Sequence, residues 1–528
     1  MTDPTEPTNP AERGGAEPVA PESVASESVE SAAVAKPAKP AKPAKPASKP
    51  VRPASARGAL VVGARGITGL VGVAVAVAAI LAATVIPGQL HAAGVPSLEV
   101  SPVAAAQQRV CPGPVLRLGD DEGGQATIPT SIGRAAAVFQ SIPRTSESSD
   151  LTSTDNVAGV APLLLTLPPE DAGETTPPAL AGSQSQVVDA GDIVGFATAE
   201  CSEANGDTWL VGGATDVGRA TLITISNPTT VIATVAMTLY SETGEIAAPG
   251  ATGVVVPPGA QRIFSLAGFA PDIVSPVVRV QSRGGQVVAN LQQSVVRTLA
   301  PGGVDIVGAT DGPSRSTTIP GLVLSGSDAV AAAQGAEGYE DLQSVLRVLV
   351  PGDTDANITV RIALETAPAE DGFTLELDAG RVTEIPLPGL ADGAYTVTVD
   401  SDVPVVAGAR SSIVGETGRS EFAWVGSASS LGDTGLVSVA AGPAPVLHLT
   451  NPTDAEATVT IAGLVGGDLT VRVPAGRGVA TPVASGADLV LHGTAGLLAT
   501  VTYLGAGAFG AFHVTPPGPG SSDITVYR

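Results

Sequence analysis

The sequence predicts an all-β ectodomain of tandem Ig-like antiparallel β-sandwich repeats, preceded by a disordered tail and one transmembrane helix. Three observations carry this expectation. An uncharged apolar run, 67–86, splits the chain. Short alternating apolar segments, punctuated by Gly and Pro, fill almost everything after it. One order of such segments then recurs three times.

The tail, 1–57, has no apolar periodicity. Acidic residues fill its first half, and Lys36, Lys39, Lys42, Lys45 and Lys49 then each precede a Pro. Such a segment buries too little apolar surface to offset its chain entropy, and its Pro spacing stiffens it as a polyproline-II tether. The run 67–86 follows, bounded by Arg65 and Pro87. As a helix it rises about 30 Å, the thickness of the hydrocarbon core. Lys49, Arg52, Arg57 and Arg65 precede it, and Arg109 is the next basic residue after it. The positive-inside rule therefore places the N-terminus in the cytoplasm and the bulk outside. A cleaved signal peptide has a shorter apolar region and a shorter leader, so an uncleaved anchor is the expectation. Ala74, Ala78 and Ala82 form a small-residue stripe on that helix.

Beyond the anchor the strands repeat. Thr221–Thr229, Leu346–Gly352 and Val446–Thr453 are alternating segments that stop at a turn. Each is followed by a second strand: Ala233–Tyr240, Ile358–Leu364 and Ala457–Leu464. A third ends in a Gly turn at Gly259, Gly380 and Gly476, and two more strands close each unit. These spacings give β-sandwich repeats over 219–310, 316–428 and 434–528. A divergent β unit, 98–218, precedes them and ends at Trp209–Gly213, much as the second repeat ends at Trp424–Gly426. Asp328–Leu342 has helical composition, but Gly335 and Gly338 interrupt it, so a loop is expected. Ser141–Ser183 is rich in Ser, Thr and Pro and reads as a surface loop broken by one strand, Gly159–Leu167; such stretches also accept O-linked sugar.

Composition narrows the chemistry. The chain has 528 residues, 44% hydrophobic but only 3% aromatic, so its cores are aliphatic. The net charge of −24 argues against a nucleic-acid binder, which needs a basic face. Two cysteines exclude a disulfide-dense miniprotein, a four-cysteine zinc site and an iron–sulfur protein. Cys111 and Cys201 fall in one unit on the oxidising side of the membrane, so a disulfide between them is expected, with two buried thiols as the alternative.

No motif points to catalysis. Gly505–Gly510 matches a dinucleotide fingerprint literally, but no long helix follows it to hold a pyrophosphate. Asp353, Asp355 and Asn357 begin like a calcium loop, yet Ile358 and Leu364 stand where an EF-hand needs Gly and Glu, so a hairpin turn is expected. Asn357-Ile-Thr359 is a glycosylation sequon, and Pro228 spoils the one at Asn227. His448, His492 and His513 lie in the last unit without accompanying ligands. Alternation puts Leu447 and Leu449 in the core and His448 on the solvent side or at a sheet edge. No catalytic, cofactor-binding or metal residue is assigned.

With these repeats in view, the chain resembles an actinobacterial family described only as domain of unknown function 5719. The resemblance rests on Val110–Pro114, Glu200-Cys201 with Trp209–Gly213, Leu222–Pro228 with Val256–Gly259, and Ser282–Gly285, and spans 98–528. It implies a single-pass envelope protein without assigned activity, whose relatives are often encoded near a membrane glycosyltransferase. The expectation is a non-enzymatic, membrane-anchored scaffold or binding module in the cell envelope. Its partner is an envelope protein or cell-wall glycan and not nucleic acid, with an accessory role in envelope glycan assembly. The alternative is a carbohydrate-active enzyme with a carboxylate site on one β unit.

Overall fold

The computed structural model describes residues 106–119, 127–156, 159–169, 178–367 and 372–516, and the backbone of Ser97–Val100 and Ile524–Tyr527. The tail 1–57 and the apolar run 67–86 lie outside the described residues. Among the described residues no helix is long and apolar enough to cross a membrane. The described residues are nearly all β, with one α-helix among them, Ser327–Ala333.

Three successive stretches share one pairing order. In the first, one sheet runs Asp207–Val211, Val277–Gly284, Ala233–Ser241, with Thr252–Val256 also on Ala233–Ser241. The other runs Ala300–Val307, Val288–Arg297, Arg219–Asn227, Ala260–Ser265. The third stretch repeats this with Thr434–Ser438, Asp488–His492, Ala457–Ala462, Leu469–Val473, and with Ala508–His513, Leu498–Gly505, Val446–Asn451, Arg477–Pro482. In the second stretch a single long strand, Gly393–Val414, serves both sheets. Its first half joins Ser314–Leu324 to Ala356–Leu364, and its second half joins Ser420–Gly426 to Val345–Leu349. The strand at Trp209, expected at the end of the preceding unit, pairs with Val277–Gly284.

The turn chemistry explains part of the repetition. Asn227 is fully buried. Its Nδ2 donates to the carbonyls of Val231 (2.8 Å) and Val256 (3.0 Å), and its Oδ1 accepts from Thr229 N–H and Oγ1–H at 3.0 and 2.7 Å. Asn451 repeats all four bonds with Ala455, Val473 and Thr453. Asn-Pro-Thr is thus a latch: Pro stops the strand, and the amide satisfies backbone groups that the turn leaves open. Gly259, Gly380 and Gly476 all adopt positive φ, +64°, +70° and +66°, which ordinary side chains rarely take.

Two local expectations are corrected. Asp328–Leu342 is not a loop throughout: it holds the helix Ser327–Ala333 and a 3-10 turn, Glu340–Leu342. The helix ends before Gly335, and its first amides are satisfied by a distant residue. Asp392 accepts from Ser327 Oγ–H (2.6 Å) and from Ser327 N–H and Gly326 N–H (both 2.9 Å), and these bonds hold its carboxyl below the usual range. Ser141–Ser183 likewise contains more than one strand: besides Leu163–Leu167 there are Glu147–Asp150, Thr152–Ser153 and the start of Ala179–Ala190. Glu147–Asp150 is fully solvent-facing yet pairs with Leu163–Leu167, so its polarity marks an exposed strand and not a loop.

The units do not hang as separate beads. Residues 94–528 form one compact body, and each core is completed by its neighbour. Phe422 and Trp424 enter the core built on Ile223, Val235 and Leu291. Phe509 and Ala511 enter the core of Leu346, Val360 and Val397. Phe196 enters the core of Leu447, Leu449 and Tyr503. Val304 and Ile306 enter the N-terminal core of Val115, Val188 and Ile193. The donors all lie on four edge strands: Ile193–Glu200, Ala300–Val307, Ser420–Gly426 and Ala508–His513. The ring is therefore closed, and these four strands are its axis. Ser97–Val100 pairs antiparallel with Ile524–Tyr527.

Candidate ligand-binding cavity

Bringing four sheet edges together buries backbone groups that no neighbouring strand can pair. Carboxylates carried by the axial strands take them up. Glu421 accepts from Phe196 N–H and Val304 N–H, both at 2.9 Å, and from its neighbour Phe422 at 3.3 Å. Asp305 accepts from Trp424 N–H (2.8 Å) and Ile306 N–H (2.9 Å). Glycine makes room for the first of these: a Cβ on Gly195 or Gly303 would run into the Glu421 carboxylate. Burial pushes the Asp305 carboxyl up to about 7, and Glu421 well above the usual range, against the backbone N–H groups that favour their charged forms.

At their C-terminal ends the four axial strands open into one cavity of ≈ 740 Å³. Glu200, Val307, Gly426 and His513 bring one residue each from the four strands to its wall. Two of its wall residues, Glu200 and Thr515, belong to a clasp. Arg109, 1% exposed, donates to Glu200 Oε1 (3.0 Å), to the Cys201 carbonyl (3.2 Å) and to both Oγ1 and the carbonyl of Thr515 (3.1 Å each). Glu200 in turn accepts from Thr515 N–H (3.0 Å) and Oγ1–H (2.7 Å). Burial pushes Glu200 up to about 7, with Arg109 and the Thr515 bonds pulling the other way. Beside the clasp Cys111 and Cys201 form a buried disulfide, as the sequence led us to expect.

The walls mix apolar and polar groups. Ala204, Ala309 and Pro516, all half-buried, supply apolar surface, while Val288, Ile306, Trp424 and Phe512 reach the wall as nearly buried core residues. Asp207 is tied to Arg279 at 2.5 and 2.9 Å, and Asp311 accepts from Ser429 Oγ. Burial lowers the affinity of the His513 imidazole for its proton, with the Asp311 charge opposing. The side chains of Gln108, Ser202, Gln286 and His513 make no hydrogen bond among the described residues, and Gln107 Oε1 is buried without a partner.

The three histidines fall in different places. His513 lines the cavity, and His492 is exposed on Asp488–His492. His448 is corrected: it is 2% exposed, not solvent-facing. Alternation assigned the faces properly, since Leu447 and Leu449 are fully buried, but the opposite face is covered too. There Glu365, from the neighbouring unit, accepts from or faces His448 Nδ1 at 2.9 and 3.0 Å, while Nε2 meets Thr502 Oγ1 at 2.9 Å. This carboxylate–imidazole–hydroxyl chain has the connectivity of a hydrolase triad. Its members are only 2–4% exposed and line neither described cavity, so no substrate reaches them. Its evident work is to join two units.

A second joint lies between the first two repeats. Arg347, fully buried, donates to Glu384 and to the carbonyls of Gly213, Pro276 and Val274, and lies 4.4 Å from the Trp424 ring centre. Arg297 and Arg219 meet Asp341 there; they hold its carboxyl below the usual range although burial acts to raise it. Among the described residues no group of three or more His, Cys, Asp or Glu is placed to hold a metal ion. Asp355 and Asn357 serve a turn, bonding Ala379 N–H and Asp402. Gly505–Gly510 spans a hairpin between Leu498–Gly505 and Ala508–His513.

Sequence reasoning did not single out Glu421, Asp305 or Glu200 as central. A signal existed: each is a lone carboxylate in a strand of otherwise apolar and small residues, which a solvent-facing position would not require.

Fold and site together define a disulfide-bonded all-β body with one axial cavity. The profile of a family of unknown function, DUF5719, matches residues 152–484, well over half of the chain. The chain belongs to that family. The match leaves Cys111 and the last axial strand outside its bounds. No curated protein and no solved structure matches the chain.

Proposed function

We propose that this chain is a single-pass envelope protein of actinobacterial type, anchored by 67–86 with its N-terminus in the cytoplasm, and that its Ig-like units act outside as a non-enzymatic binding scaffold accessory to envelope glycan assembly. The observation that carries the reading is how the central carboxylates are spent. Glu421 and Asp305 hold backbone amides, and Glu200 holds Arg109 and Thr515. A glycosidase needs two carboxyl groups facing substrate, one poised as acid and one as base or nucleophile. The buried disulfide suits an oxidising compartment.

Protease added to wall-stripped cells tests the topology: the chain should be trimmed to a small anchored N-terminal fragment. Survival of the full-length chain, when a known exposed protein is cut, overturns it. The rival enzyme is tested by incubating the protein with isolated envelope polysaccharide. Release of reducing ends that Asp311→Asn abolishes would establish catalysis and defeat the scaffold reading.

A further inference from the structure

The axial cavity exists because the ring is closed by four units. Its walls are not those of a collapsed core. Apolar surface from half-buried Ala204, Ala309 and Pro516 adjoins side chains with unused hydrogen-bonding capacity. Gln108 and Gln286 each offer both donor and acceptor, as does a neutral imidazole at His513. The volume falls in the range of small-molecule sites, roughly 300–1,000 Å³.

Charge narrows the ligand class. Glu203, Asp207 and Asp311 line the cavity, and the cation bonded to its wall residue Glu200, the buried Arg109, already has Glu200 and Glu203 within 3.0 and 3.6 Å. The outer portion of the chain carries a net −26, since the residues up to Ile86 hold nine basic and seven acidic side chains. An anionic ligand would enter against this field. The walls suit a molecule with many hydroxyl donors and a C–H face for the aliphatic side.

From this we infer that the cavity at the C-terminal ends of the four axial strands binds a neutral saccharide, its hydroxyls on Asp311, His513, Gln108 and Gln286 and its apolar face toward Ala309 and Pro516. The inference deepens the binding-scaffold reading and rests on it, but its test is separate from the topology test. If the protease experiment fails and saccharide binds, the location is wrong and the site stands; the reverse result removes the site alone.

The experiment is calorimetric titration of the purified full-length chain in detergent with maltotriose, mannotriose and tri-N-acetylchitotriose, beside spermidine and trigalacturonate. At least one neutral trisaccharide should saturate with a Kd below about 5 mM, and trigalacturonate should bind at least about tenfold more weakly, given the acidic walls. Ala309→Trp, which fills the cavity from its wall, should abolish binding, and Asp311→Asn should weaken it about tenfold. Both variants should keep the thermal midpoint of the parent. Should Ala309→Trp fail to fold, Gln286→Trp at the exposed rim replaces it, with the same loss expected. The inference is overturned if none of the three neutral trisaccharides saturates, if spermidine or trigalacturonate binds more tightly than all of them, or if binding survives both Asp311→Asn and the folded cavity-filling variant.

Discussion

Glu421 offers the sharpest test of how the ring is held. Replacing it with Ala leaves the edge amides of Phe196 and Val304 buried without an acceptor. Each orphaned amide costs about 1–3 kcal/mol, so Glu421→Ala should lose about 2–6 kcal/mol. Glu421→Gln keeps one oxygen and turns an NH₂ toward the other amide, so it should lose about half as much. Acidity adds a second signature. Burial raises the folded-state pKa of Glu421 above its unfolded value, so between the two the native chain holds the extra proton, and wild-type stability falls as pH rises. Glutamine lacks that dependence. The gap between wild type and Glu421→Gln should thus be widest near pH 4 and narrow toward neutrality. Residues 94–528 form one compact body, and Trp209 and Trp424 are both buried, so their fluorescence reports its unfolding in guanidinium. A Glu421→Ala variant within about 0.5 kcal/mol of wild type at pH 4 would refute the reasoning. So would a gap that widens with pH.

Other outcomes follow from the same structure. With Glu200 and Asp305 raised to about 7, their contribution to stability should decline from about pH 4 to pH 7; each group contributes on the order of 3–4 kcal/mol, measured as the guanidinium midpoint against pH. Replacing Cys111 and Cys201 with Ala should cost about 2–5 kcal/mol, and unreduced wild type should show no titratable thiol in denaturant. Leu447→Ala should cost about 2–5 kcal/mol. His448→Ala should also destabilise, by about 1–3 kcal/mol, because Glu365 and Thr502 lose a buried partner; combining it with Glu365→Ala should be less than additive, as a double-mutant cycle reads directly.

Much of the fold was legible because its signals are local. Alternation placed Leu447 and Leu449 in the core, and the Asn-Pro-Thr and Gly turns set strand ends that the structure repeats. What lay hidden depends on pairs far apart in the chain. His448 reads as outward-facing until Glu365, 83 residues earlier, is known to cover it. The helix at Ser327 reads as interrupted until Asp392, 65 residues later, caps it. The cavity was the least visible feature, since Glu200, Val307, Gly426 and His513 sit in four different units. Each looks like an ordinary strand terminus until the strands are brought together.

Closure is what separates this architecture from an open array of repeats. In a solenoid each repeat contacts only its neighbours, and copies can be added or lost at the ends. Here Phe196, on the first axial strand, completes the core of the last unit, while Phe509 of the last unit completes the core before it. Removing either aromatic side chain opens a core of another unit, at about 3–5 kcal/mol. No unit can therefore be deleted without opening the core it completes and uncovering the side chains that complete its own, and the number of repeats is set by the ring. The carboxylates on the axis follow from the same constraint: edges that cannot pair must be capped, and Glu421 and Asp305 cap them between strands of different units. The cavity inherits this dependence. Its walls come from all four axial strands, so it forms only when the last unit has docked on the first, and a ligand that fills it stabilises the closed ring by mass action.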